Sequence, residues 1–175
     1  MDLENLLSDK RSRAIKTWRD SIYGSYPEDS RRFFRKEKDQ FSNPVGNVIF
    51  REVEKLYDEI STSCDFNRIS SCLDNIIRIR AVQDFKPSQA VAFVLHLKTV
   101  LREVLGEEIY RYGLSSEFQD LEMRIDKIAL LAFDIYSNCR QKIYDVRVKE
   151  VKNQLGRLLE RANLTFEIPQ QNKDL

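Results

Sequence analysis

From Phe118 onward the apolar residues return at alternating steps of three and four: Phe118, Leu121, Ile125, Ile128, Ala132, Ile135 and Cys139. That spacing is the seam of a long helix packed lengthwise on a neighbour. After Cys139 the same register meets Lys142 and Lys149, while Val151, Leu155, Leu158 and Ala162 form a new stripe in a different phase. A helix kept over 116–162 would be on the order of 70 Å long, more than the width of a compact domain of this size. The chain must therefore bend this helix, let part of it project, or pack it on a second subunit.

The rest of the sequence is free to follow the same plan. Only 5 Gly and 4 Pro interrupt 175 residues, and 42% are hydrophobic against 33% charged, so the composition points to an all-α fold with a real core. One helical domain is expected over 1–162, followed by a flexible polar tail over 163–175. Basic and acidic residues nearly cancel at 29 and 28, which argues against a nucleic-acid partner. The basic residues between Lys10 and Lys38 are interrupted by Asp20, Glu28, Asp29, Glu37 and Asp39, as on a solvated helix face. Met1-Asp2-Leu3-Glu4 does not open a secretory leader, and the longest apolar run, Ala90 to Leu97, falls well short of a bilayer span. Cytoplasmic placement without membrane insertion is the expectation. Cys64, Cys72 and Cys139 contain no Cys-x-x-Cys pair, so neither a disulfide framework nor a metal site is expected.

About six helices emerge from the periodicity. Leu3, Leu6, Leu7, Ala14, Ile15, Trp18 and Ile22 predict a first helix that stops near Gly24. Pro27 opens a short second helix with Phe33, Phe34 and Phe41 on its buried side, ended by Asn43-Pro44. Pro44 suits the first turn of a third helix bearing Val45, Val48, Ile49, Val53, Leu56, Tyr57 and Ile60, closed by Ser61-Thr62-Ser63. Asp65 is an N-cap for a fourth, with Ile69, Cys72, Leu73, Ile76, Ile79 and Val82 inward and its end near Phe85. Ser88 is the expected N-cap of a fifth, apolar nearly all round in its first half, which runs to about Tyr112 and Gly113. The last begins near Ser115 or Ser116.

Two stretches carry more specific information. Phe33-Phe34-Arg35-Lys36-Glu37-Lys38-Asp39-Gln40-Phe41-Ser42-Asn43-Pro44-Val45-Gly46 precedes Ile76-Ile77-Arg78-Ile79-Arg80-Ala81-Val82-Gln83-Asp84-Phe85-Lys86-Pro87-Ser88-Gln89-Ala90. In this order they resemble the RsbRD N-terminal family, the sensory domains of RsbT co-antagonist proteins in bacterial stress signalling, and the resemblance covers roughly residues 3–145. It implies a non-catalytic sensory or regulatory domain with a globin-like or related helical bundle and a long C-terminal helix. It also marks Arg78, Arg80, Gln83 and Asp84, with Lys38 and Asn43, as candidate ligand- or partner-binding residues. The plainer reading of the arginines is two surface ion pairs at i,i+4, Asp74 with Arg78 and Arg80 with Asp84. The family usually supplies the input half of a larger regulator, and no output domain follows residue 162. A protein partner carrying the output function is therefore expected, together with a homodimer along Val151, Leu155, Leu158 and Ala162.

Nothing in the chain marks an enzyme. His96 is the single histidine, and neither a nucleophile turn nor a phosphate-cradling glycine loop accompanies it. Some stressosome sensors are globin-like without haem, and this chain fits that version. The helix that would carry a globin's iron-bound histidine, Asp65 to Phe85, has none, so no cofactor is expected. The alternative is a sensor that binds haem through His96, or another small molecule in a pocket lined by some of Trp18, Phe33, Phe34, Phe41, Phe85 and Phe93. At helical spacing those aromatics read first as core.

Overall fold

The computed structural model describes residues 1–37, 39, 41–62 and 65–161, and among them the fold is all-α, with no strand. Seven helices follow in order: α1 (Leu3–Asp9), α2 (Arg11–Gly24), α3 (Glu28–Lys36), α4 (Pro44–Ser61), α5 (Phe66–Val82), α6 (Pro87–Arg111) and α7 (Ser115–Arg161). The chain divides into two compact units, Met1–Arg140 and Gln141–Leu175, and α7 contributes to both.

In the first unit α4 lies along α5, α2 lies along α6, and α1 touches α2, α4 and α6. The interior follows from the apolar stripes. Trp18, Ile49, Leu56, Ile69, Leu73, Ile76, Phe93, Leu97, Ile125 and Ile128 are all essentially inaccessible. Each large side chain so buried contributes about 1.5–3 kcal/mol through removal of apolar surface from water. Polar tips inside the core find acceptors: Trp18 Nε1 donates to Phe93 O at 2.7 Å and Tyr57 Oη to Leu7 O at 3.0 Å. α6 is the central helix, buried along Ala90, Phe93, Val94, Leu97, Val100, Leu101, Val104, Leu105 and Ile109. Its outer edge is tied to α7 by Lys98–Asp126 and Arg102–Glu122 ion pairs.

Several expectations change in the structure. The first helix is two, because the apolar pattern is interrupted between Leu7 and Ala14. Lys10 there caps α1, and its ammonium pairs with Asp9 and Glu108, both at 3.1 Å. α3 ends at Lys36 and buries no residue; Phe33 is 46% and Phe41 94% exposed. Asp39 turns the chain instead, its carboxylate accepting from the backbone N–H groups of Phe41 and Ser42. α5 stops at Val82, which is exposed rather than buried. α6 starts two residues earlier than a cap at Ser88 would place it, with Lys86 at the cap, since Pro87 occupies the first helical position and has no N–H that needs a cap. At the end of the α7 seam Ile135 and Cys139 are half-buried. Cys64 and 162–175 lie outside the described residues.

Candidate functional site

The second signature stretch is a helix stop from which three neighbouring helices are held. After the α5 cap at Gln83, Asp84 takes a left-handed conformation (φ 56°) and Phe85 N–H returns to Arg80 O at 3.2 Å. This is the Schellman closure, in which a short polar residue can replace the usual glycine at the left-handed position. Its accompanying side-chain contact is unusual in kind, because the Arg80 guanidinium lies 5.0 Å from the Phe85 ring centroid. The same guanidinium is 5.0 Å from Phe93 and 5.5 Å from Tyr26, and it is fully buried.

Arg80 Nη1 donates to Gln89 O at 2.9 Å and Ala90 O at 3.4 Å, and Nη2 donates to Ser25 Oγ at 2.9 Å. One side chain thus joins the end of α5 to the start of α6 and the end of α2. Burial lowers its pKa from the ordinary arginine value, and the neighbouring Tyr26 hydroxyl opposes that shift. The expected Arg80–Asp84 surface pair does not form, because Arg80 turns inward. Asp84 is met instead by Arg140 of α7, whose Nη1 also donates to Ala81 O at 3.0 Å, while Tyr136 Oη donates to Phe85 O.

Arg78 and Gln83 remain on the surface. Arg78 pairs with Asp74 as its spacing predicts. Both line a shallow groove of about 550 Å³ between α4 and α5, floored by Val45, Val48, Ile79 and Val82. The four candidates of the second stretch therefore separate into two that fasten helices, Arg80 and Asp84, and two that face solvent.

The first stretch is a helix start. Asn43 is 2% exposed; its Oδ1 accepts from Gly46 N–H at 2.9 Å and its Nδ2 donates to Glu37 O at 2.9 Å. Pro44 then fills the first helical position. Gly46 must lack a side chain, since a Cβ there would sit 2.3 Å from Asn43 Nδ2. Lys38 lies outside the described residues.

Beside this cap, α2, α3 and α4 enclose a groove of about 410 Å³ with Lys16, Arg19, Asp20 and Tyr23 on one wall. Phe34, Arg35 and Glu37 form the second wall and Gly46, Asn47 and Phe50 the third. The sequence reading did not single out Lys16, Arg19 or Phe50. The available signal was that 16, 19, 20 and 23 share one face of α2, a pattern that an ordinary solvated face also shows. Arg140 and Tyr136 were missed because their partners lie more than fifty positions away.

In the second unit Val151, Leu155 and Leu158 are 54%, 53% and 61% exposed, and Val148 at 51% extends the same stripe backward. Ala162 lies outside the described residues. His96 is exposed, with Nδ1 3.1 Å from Ser21 Oγ, and lines neither groove. Among the described residues no helix is long and apolar enough to cross a membrane, and no group of three or more His, Cys, Asp or Glu is placed to hold a metal ion.

Residues 13–151 match the family described as the RsbT co-antagonist protein rsbRD N-terminal domain. The chain is also 24% identical over 144 residues to an uncharacterized protein of Archaeoglobus fulgidus, across 80% of this chain and 83% of that one. No solved structure matches it.

Proposed function

We propose that this chain, which belongs to the RsbT co-antagonist rsbRD N-terminal domain family of regulatory sensory domains, passes its signal by protein contact and does so as a homodimer joined along the last part of α7. The observation that carries this reading is the stripe Val148, Val151, Leu155 and Leu158. Its steps of three, four and three match the seam of a two-stranded coil, and every member is at least half exposed. β-Branched and leucine side chains at such positions pack against the same stripe of a second copy. Packing of an amphipathic face also supplies most of a helix's stability in proteins. Association covers the apolar stripe and supports the helix at once.

The gain is limited because each side chain is already partly covered, and association itself costs several kcal/mol. That balance makes the dimer a reversible one. Such a contact suits a regulator that exchanges partners, and a partner bearing the output function would use a helix with the same stripe. The test is light scattering on the wild type and on Leu155→Asp/Leu158→Asp. Wild type at twice the chain mass and the variant at the single mass support the reading; equal masses for the two would refute it.

A further inference from the structure

Among the described residues, the groove between α2, α3 and α4 holds more positive charge than its own acids neutralise. Its two acids are both engaged: Asp20 with Arg35 at 3.4 Å, and Glu37 through its carboxylate accepting from Asp39 N–H at 2.9 Å. Lys16 and Arg19 have no acidic partner among the described residues. Arg19 is fixed all the same, its guanidinium 4.2 Å over the Phe50 ring centroid. Its Nη1 is buried without a hydrogen-bond partner. A cation held in place by an aromatic ring and given no acceptor among the described residues is preorganised for an anion from outside.

The remaining surface fits an apolar body. Tyr23, Phe34 and Phe50 bring rings to the groove, and its volume of about 410 Å³ lies at the small end of ligand pockets. The Asn43 cap and the bare Gly46 backbone form a rigid end, which keeps the wall from α4 in place.

We infer that this groove binds a small aromatic carboxylate, with the carboxylate on Arg19 and Lys16 and the ring against Phe34, Tyr23 and Phe50. The inference goes beyond the reading of α7 and does not depend on it. It supplies a chemical class for the signal of a regulatory domain.

The experiment is a two-dimensional amide NMR titration of the full chain with benzoate, and in parallel with benzyl alcohol as its uncharged counterpart. Benzoate is expected to shift the resonances of Lys16, Arg19, Asn47 and Phe50 saturably in the millimolar range, and benzyl alcohol is not. Arg19→Gln is expected to weaken benzoate by about tenfold or more, the loss of a charge-assisted contact. Arg19→Lys, which keeps the charge without the planar fork, should fall between the two and shows that the fold tolerates change at this position. Absence of saturable shifts, equal response to benzyl alcohol, or unchanged binding in Arg19→Gln would each overturn the proposal.

Discussion

Alanine at Gly46 would place a Cβ 2.3 Å from Asn43 Nδ2 and 2.6 Å from its Oδ1, so the cap of α4 and its bond to Glu37 O must give way. Loss of the cap with displacement of a buried polar side chain should cost roughly 2–3 kcal/mol. Gly106 stands in contrast, lying inside α6 with nothing within 4 Å of its would-be Cβ. Alanine there should stabilise by about 0.5–1 kcal/mol, because it restricts the unfolded chain and favours the helix. Urea melts of the two variants should move in opposite directions from wild type. Arg80 supplies a second test at this scale. Lysine keeps the buried charge but cannot reach the carbonyls of Gln89 and Ala90 together with Ser25, so Arg80→Lys should cost about 3 kcal/mol or more. Methionine removes the charge and still fills the space between Tyr26, Phe85 and Phe93, so Arg80→Met should cost less. The reverse order in denaturant melts would contradict this account of the buried guanidinium.

Helix ends were more legible than helix surroundings. Asp65, Gly24 and Gly113 announced their roles because capping depends on the local backbone: Asp65 accepts from Asn67 N–H at 2.9 Å, and Gly113 takes φ 68° while Leu114 N–H closes on Ile109 O. Asn43 did not, since it reads as the end of the second helix and a candidate binding residue, whereas it caps the start of α4. What lay beyond local chemistry was missed. Phe41 reads as a buried residue by its spacing, yet the Asp39 turn carries it into solvent, and no periodicity reports which turn a carboxylate will form. Arg80 read as a surface partner of Asp84 because i,i+4 spacing is local, whereas its cage comes from α2, α6 and the chain after α5. The α7 stripe was legible as a stripe, and the structure adds Val148 to it. An element-scale expectation follows for hydrogen exchange. Amides over 141–161 should exchange faster in Leu155→Asp/Leu158→Asp than in wild type, while those of α6 stay unchanged. Equal rates over 141–161 would mean that this helix stands without association.

At the scale of the whole molecule, the buried groups that titrate in alkali predict where stability is lost. Burial pushes the Cys72 thiol up to about 11 from an ordinary 9.0, and the Tyr57 hydroxyl up to about 12 from 10.0. Both pKa values are raised in the folded state, so below pH 9 both groups are protonated whether folded or not, and stability does not depend on them. Above that the unfolded chain releases these protons first, and stability falls as the pH rises from about 9 to 12. Urea midpoints at pH 8, 10 and 11 should decline in that order, and Cys72→Ala should remove the part of the decline that begins near pH 9. The family resemblance read from the two signature stretches holds for the chain, and the structure supplies their physical content: one stretch starts α4, and the other stops α5 and fastens α2, α6 and α7 to it. On the proposed reading, regulation by contact rests on the stripe of the second unit. The most direct measurement is a native mass spectrum of the wild-type protein at micromolar concentration: a species at twice the 20.7 kDa chain mass is the predicted result, and a spectrum holding the single chain alone would contradict it.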